Sequence, residues 1–204
     1  MGAQFPDEAS TEGEFERQED AFRDWITSEA DALFPPEPDR YHLYVSLACP
    51  WASRTVIARH IKGLEGTVGM TVVDPVRDER GWAFRDGPGH STDPINHFAF
   101  LSEAYRASDP HFDGRVTVPV LWDKKHRRIV NNSEDDICRM FNSSFPDARG
   151  SGADLFPESI SAEHTEVSHF LYENINNGVY RAGFATSQGA YDRACRRLFD
   201  ALDK

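Results

Sequence analysis

The stretch His42-Leu43-Tyr44-Val45-Ser46-Leu47-Ala48-Cys49-Pro50-Trp51-Ala52 joins an apolar run to a cysteine that a proline follows directly. The run at 42–46 is typical of a buried strand, and proline is tolerated at a helix start. The pattern predicts a strand, then a helix over 51–61, with Cys49 at the junction. There the N–H groups and the positive end of the helix dipole stabilise a thiolate, so we expect a lowered pKa for Cys49.

Cys49 is the candidate nucleophile, because a thiolate attacks and leaves well in disulfide exchange. The alternative is an inert buried cysteine, which is the common role of a single cysteine. Ala52 stands where a C-x-x-C motif has its second cysteine, so a mixed disulfide at Cys49 needs an external thiol to resolve it. This predicts a low-molecular-weight thiol substrate. Cys138 and Cys195 are interpreted as structural or incidental.

Outward from Cys49, strands alternate with helices. Further strands are expected at 68–73, 116–122 and 128–130, and helices at 95–107 and after Asn132 or Ser133, either of which can cap. The order β-α-β-α-β-β-α, with crossover helices and a closing hairpin, matches the thioredoxin arrangement of the α/β class.

Four parts follow along the chain. An N-terminal extension, 1–39, is expected to contain one amphipathic helix, because four apolar residues recur at helical spacing. These residues are Phe15, Phe22, Trp25 and Ile26. The thioredoxin-like domain is placed at 40–146, a linker at 147–158, and a partial helical domain at 159–204. Its two helices are expected at 162–175 and 187–202.

Composition restricts the partners. The net charge of −12 makes nucleic acid and anionic membrane unfavourable partners. Without an apolar run of membrane-spanning length or a visible signal peptide, we expect a cytoplasmic protein. Three cysteines without paired spacing argue against a disulfide framework and a zinc or other metal site.

With 18 Arg, 4 Lys, 19 Asp and 15 Glu, the surface resembles that of a halophile; the alternative is an ordinary acidic protein from a GC-rich genome.

Val118-Pro119 lies at the beginning of the expected buried strand at 116–122, where proline indicates a bulge or a cis turn. In a thioredoxin-like fold, a cis proline here turns the Val118 backbone toward a bound thiol peptide, whose own backbone pairs with it. The alternative is an edge-strand proline without a ligand role.

Asn131-Asn132-Ser133-Glu134 precedes a helix, and helix N–H groups with a hydroxyl bind carboxylates well. A γ-glutamyl carboxylate is the candidate ligand, and plain capping by Ser133 is the alternative. Tyr180 can donate a hydrogen bond or a proton to a leaving oxygen; alone, it is more simply interpreted as a partly buried aromatic residue.

Four stretches together resemble the glutathionyl-hydroquinone reductases, the xi-class or omega-like glutathione transferases. They are RYHLYVSLACPWA at 40–52, RVTVPVLWD at 115–123, RMFN at 139–142 and NNGVYRAGFA at 176–185. The resemblance implies that Cys49 attacks the sulfur of a glutathionyl-hydroquinone, and that a second glutathione reduces the resulting mixed disulfide. It also implies a thiol site and a quinone-pocket tyrosine, Tyr180. The thiol-site residues are Pro50, Trp51, Trp82 (covering the thiol peptide), Val118 (pairing its backbone), Pro119, Ser133 and Glu134.

The chain departs from this family in three ways. Ser133-Glu134 reverses the usual Glu-Ser order, and Ser53 replaces a histidine. Family members also continue through further helices, so we expect a partial helical domain and a homodimer weakened accordingly. The altered subsite leaves glutathione and γ-glutamylcysteine as alternative thiols.

Three functions stay open at this point. The first is a reductase of thiol-conjugated hydroquinones. The second is a non-catalytic remnant that binds a thiol peptide or a partner. The third is a generic monothiol reductase of glutathionyl mixed disulfides or dehydroascorbate.

Overall fold

A computed structural model describes residues 8–146 and 152–204. The chain divides into two compact units. The larger unit is Asp20–Leu155, and the smaller one combines the chain up to Glu19 with Phe156–Lys204. Residues 147–151 of the predicted linker, and 1–7 of the predicted extension, lie outside the described residues.

The larger unit is built on a four-stranded mixed sheet in the order β2-β1-β3-β4. The strands are β1 (Tyr41–Val45), β2 (Val68–Val72), β3 (Val120–Asp123) and β4 (Arg128–Asn131). β1 runs parallel to β2 and antiparallel to β3, which is antiparallel to β4. All five residues of β1 are buried, because the strand lies inside the sheet. The predicted thioredoxin-like arrangement is confirmed.

The described residues of this unit also form three α-helices: α1 (Pro50–Ile61), α2 (Leu101–Ser108) and α3 (Glu134–Ser143). α1 packs against α3. α2 begins later than residue 95 because the buried Asp93 carboxylate holds the preceding residues in a turn. It accepts hydrogen bonds from the N–H groups of Ile95, Asn96 and Phe98.

β3 is shorter than the predicted 116–122. The backbone of Thr117 is bonded by a side chain rather than by a neighbouring strand. The Thr117 N–H donates to the Tyr105 hydroxyl oxygen at 3.2 Å, and that hydroxyl donates to the Thr117 carbonyl at 3.0 Å. The strand therefore begins only after Pro119.

The predicted amphipathic helix in the N-terminal extension is wrong, since the described residues 8–39 contain no α-helix. Part of this segment runs beside β4. The Asp24 N–H donates to the Val130 carbonyl at 3.0 Å, and the Asn132 N–H donates to the Phe22 carbonyl at 3.1 Å. Ile26 is buried while Trp25 stays 41% exposed. Pairing with a strand edge has overridden the helical spacing of the apolar residues.

The smaller unit is helical in its C-terminal part. Its helices are α4 (Ser161–Leu171), α5 (Gly178–Gly183) and α6 (Gln188–Leu202), with a π-helical turn at Tyr172–Asn176 between α4 and α5. The predicted helix over 162–175 thus begins one residue earlier and changes pitch within its last turns. α5 packs against α6. Among the described residues, no helix is long and apolar enough to cross a membrane.

Candidate active site

Cys49 occupies the junction that the sequence predicts. It is the N-cap residue of α1, with Pro50 in the first position of the helix. Its carbonyl accepts the Ser53 N–H at 3.1 Å. The side chain is partly exposed. A sulfur held here lies at the positive end of the helix dipole, where a thiolate is stabilised.

The second part of the site comes from a distant stretch of chain. The Cys49 Sγ lies 3.6 Å from the Val118 carbonyl oxygen, and the Val118–Pro119 peptide bond is cis. Val118 itself is buried. The fold therefore brings the predicted nucleophile and the predicted backbone-pairing residue together, although 69 positions separate them.

The two asparagines before α3 have a positioning role. The Asn131 side-chain oxygen accepts the Ser133 N–H at 2.8 Å. The Asn132 side-chain oxygen accepts the Phe22 N–H at 2.9 Å, and its amide donates to the Thr117 hydroxyl at 3.3 Å. These bonds fix the start of α3. Ser133 is the N-cap residue, as one of the two interpretations predicts, but its hydroxyl makes no capping hydrogen bond.

Glu134 is the first residue of α3, and its side chain is only 11% exposed. The Arg54 Nη1 atom lies 3.0 Å from its Oε1 atom. The pKa of Glu134 is raised to about 7, chiefly because the carboxyl group is buried; the Arg54 charge opposes this rise, and the nearby Asp20 and Asp135 carboxylates add to it. This carboxyl group therefore changes charge near neutral pH.

Arg54 is absent from the residues that the sequence interpretation selects. It stands four positions after Pro50, one turn into α1, and the first turn of α3 carries three acidic residues, Glu134, Asp135 and Asp136. The available signal was the combination of an arginine one turn into the helix of the nucleophile and an acidic start of α3, because the helices of a thioredoxin-like domain can pack side by side.

Trp82 lies in a loop that backbone hydrogen bonds fix on both sides. Its carbonyl accepts the Leu101 N–H at 2.9 Å, and the carbonyl of the next residue, Ala83, accepts the Asp74 N–H at 2.9 Å. The Arg77 guanidinium lies 5.5 Å from the centre of the Trp82 ring. The role of Trp82 as a cover for a thiol peptide stays a prediction. The place of Trp51 in the thiol site also stays a prediction; this residue is partly buried in the first turn of α1.

The other two cysteines have different surroundings. Cys138 is buried on α3, and burial raises the pKa of its thiol to about 12. Cys195 on α6 hydrogen-bonds Tyr191, and this bond raises the pKa of that phenol. None of the three cysteines forms a disulfide.

Tyr180 belongs to the smaller unit, on α5. Its ring stacks with Phe15 at 6.2 Å and Phe184 at 5.9 Å between centres. The Arg17 guanidinium lies 4.5 Å from the ring centre. Tyr180 thus has a packing role within its own unit, and its predicted role in the quinone pocket stays a prediction.

Comparison with known proteins agrees with the resemblance seen in the sequence. Residues 48–144 match the family model for the glutathione S-transferase N-terminal domain. The chain is 47% identical over 203 residues to the glutathionyl-hydroquinone reductase YqjG of Escherichia coli K12, covering 96% of this chain and 62% of that protein. It is 44% identical over 197 residues to the glutathionyl-hydroquinone reductase PcpF of Sphingobium chlorophenolicum, covering 97% and 62%. The chain spans about three fifths of the length of these relatives.

Solved structures give a matching result. The xi-class glutathione transferase of Phanerochaete chrysosporium superposes with a TM-score of 0.87 at 46% identity, covering 93% of this chain and 65% of that one. The xi-class enzyme of Natrialba magadii gives a TM-score of 0.85 at 47% identity, covering 89% and 56%. A glutathione-bound structure of YqjG gives 0.84 at 49%, covering 90% and 62%. Residues 48–144 therefore form a glutathione S-transferase N-terminal domain, and the chain is similar over nearly its whole length to xi-class glutathione transferases and to two glutathionyl-hydroquinone reductases.

Proposed function

We propose that this chain carries the thiol-transfer centre of a glutathione-dependent reductase of glutathionyl-hydroquinones. The observation that carries the proposal is the placement of Cys49 at the start of α1, with its sulfur 3.6 Å from the Val118 carbonyl. This arrangement joins a thiolate-stabilising helix end to a backbone group suited to a bound thiol peptide. The names of the two reductase relatives support the choice of substrate class.

The proposed reaction has two balanced steps. The Cys49 thiolate attacks the sulfur of the conjugate, forming a sulfur–sulfur bond. The carbon–sulfur bond breaks with its electron pair moving to the ring carbon, which takes up a proton and leaves as hydroquinone. A second thiol then attacks the mixed disulfide, releasing glutathione disulfide and the Cys49 thiolate. Each turnover reduces one conjugate and oxidises two glutathionyl groups to one disulfide.

The thiol site is proposed to comprise Pro50, Trp51, Trp82, Val118, Pro119, Ser133 and Glu134. In this site the first turn of α3 receives the γ-glutamyl end of the thiol. Its carboxylate lies on the helix N–H groups and Ser133, and its ammonium pairs with Glu134. Glutathione is the favoured thiol because a relative has been solved with it, and γ-glutamylcysteine is the alternative.

Substitution of Glu134 tests this subsite. A charge-assisted hydrogen bond contributes about 1.5–3 kcal/mol, which corresponds to about one to two powers of ten in binding. We expect Glu134→Gln to raise the KM for the thiol by that factor, while Cys49 keeps its reactivity toward a neutral alkylating agent. Unchanged KM values for both glutathione and γ-glutamylcysteine would leave Ser133 and Glu134 as a plain helix start.

A generic monothiol reductase is the second candidate, because Ala52 in α1 leaves Cys49 without a neighbouring cysteine. It would reduce small glutathionyl mixed disulfides or dehydroascorbate. The non-catalytic alternative is not favoured, since the relatives are enzymes. Homodimerisation, a cytoplasmic location and a role for Tyr180 toward the hydroquinone complete the proposal.

The deciding experiment measures hydroquinone release from a glutathionyl-hydroquinone by this chain, beside reduction of a small mixed disulfide. We expect Cys49→Ser to abolish the release, while Cys138→Ser and Cys195→Ser keep most of it. Equal loss in all three variants contradicts the assignment of Cys49. Efficient reduction of the mixed disulfide without hydroquinone release would favour the generic reductase.

A further inference from the structure

We propose that Arg54 is a positioning residue of the thiol site: it holds the Glu134 carboxylate in its charged form at the start of α3 and so makes thiol binding depend on pH near neutrality. The inference rests on the proposed function, because it assumes that Glu134 meets the γ-glutamyl ammonium. It assigns a role to a residue outside the sequence-derived site.

The geometry joins the nucleophile helix to the thiol-binding turn. Arg54 lies on α1, the helix that Cys49 caps. Its Nη1 atom is 3.0 Å from Glu134 Oε1, and its Nη2 atom is 3.3 Å from Asp135 Oδ1. One guanidinium therefore bridges two successive residues of α3, and a shift of either helix would break the bridge.

Burial makes this contact more consequential than an ordinary surface pair. The Glu134 side chain is 11% exposed, whereas that of Arg54 is 43% exposed. A carboxylate removed from water favours its neutral form unless a cation is close. Among the described residues, Arg54 on α1 supplies the positive charge that lowers the pKa of Glu134, while Asp135 on α3 and Asp20 on the N-terminal segment raise it.

The pH dependence has a definite sign. With a pKa of about 7, Glu134 is mostly neutral in mildly acidic solution and mostly charged above neutrality. A neutral carboxyl pairs weakly with an ammonium group, so thiol binding tightens as the pH rises through 7. Removal of Arg54 raises the pKa further and moves this transition to higher pH, whereas removal of Asp135 moves it to lower pH.

The test measures binding of reduced glutathione by isothermal titration calorimetry between pH 5.5 and 8, in a Cys49→Ser background that prevents chemistry. If Arg54→Gln raises the pKa of Glu134 by about one, the charged fraction at pH 7 falls from about a half to about a tenth. Binding at pH 7 then weakens about fivefold. We expect Arg54→Lys to restore most of the wild-type profile, because it keeps the charge.

Asp135→Asn is the matched variant with the opposite sign. It removes the other partner of Arg54, so a role that is only structural predicts loss in both variants, whereas our inference predicts a midpoint displaced to lower pH. If Arg54→Gln fails to fold, the Arg54→Lys and Asp135→Asn profiles still decide. Unchanged midpoints with normal binding overturn the role of Arg54 alone. If glutathione binds neither to the Cys49→Ser parent nor to any of its variants, the proposed function is overturned, and this inference with it.

Discussion

At the scale of single residues, environment separates side chains of the same type. Cys49 caps a helix and is partly exposed, whereas Cys138 is buried on α3 with a pKa raised to about 12. The thiolate, not the thiol, is the reactive form. Cys49 is therefore expected to react first with any electrophile or disulfide.

Intact-mass spectrometry after treatment with oxidised glutathione checks this expectation. We expect one glutathionyl group per chain, located at Cys49 by peptide mapping, because Ala52 cannot resolve the mixed disulfide. The Cys49→Ser variant, treated identically, serves as the control and should stay unmodified. An internal disulfide from Cys49 to either of the other cysteines would contradict the monothiol mechanism.

Because its pKa is raised, Glu134 should make the folded chain less stable as the pH rises. Its pKa is raised from 4.5 to about 7 in the folded chain, so between these values the folded state binds a proton that the unfolded state has lost. Stability consequently falls as the pH rises from 4.5 to 7, by an amount on the order of 3 kcal/mol. Glu134→Gln, measured by thermal denaturation, should match the wild type near pH 4.5 and exceed it at pH 8. A constant difference between the two proteins across this range would contradict the interpretation.

At the scale of elements, the order of strands and helices could be predicted because apolar runs and the Pro50 helix start are local signals. The sequence alone misplaced what depends on contacts between distant residues. The expected helix in the extension competes with pairing at β4, and the expected start of α2 at residue 95 competes with the Asp93 carboxylate. The contact of Arg54 with Glu134 could not be predicted for the same reason, since 80 positions separate the two residues.

The start of α6 depends on one side chain. The Ser187 Oγ accepts the Ala190 N–H at 3.2 Å, which satisfies an otherwise unpaired N–H group of the first turn. We expect Ser187→Ala to lower stability by about 1 kcal/mol, measured by urea denaturation. Ser102→Ala in α2 is the control, because Glu103 rather than Ser102 accepts the N–H bonds at that helix start. Equal effects of the two substitutions would argue against the cap.

At the scale of the whole molecule, the main feature is the large negative net charge. A net charge of −12 over 204 residues places many carboxylates near one another, and their mutual repulsion opposes compactness until salt screens it. The chain has only 4 lysines beside 18 arginines and 34 acidic residues, so its charged groups are mostly carboxylates and guanidiniums.

Salt should therefore stabilise the chain. We expect its thermal midpoint and its thiol-transfer activity to rise between 0.1 M and multimolar KCl, measured at constant pH. The relevant comparison is with the Escherichia coli relative under the same conditions. Equal stability and activity at both salt concentrations would reject adaptation to high salt and leave an ordinary acidic protein.

The pairing of residues 22–24 with β4 has a consequence for the behaviour of the chain among its own copies. β4 ends the sheet order, and the last strand of a sheet ordinarily presents a row of N–H and C=O groups on which another chain can add a strand. Here the Val130 carbonyl and the Asn132 N–H are already bonded to the segment, and the charged Arg23 at its centre is paired with Asp136. The segment thus covers this edge of the sheet and should hinder edge-to-edge aggregation there.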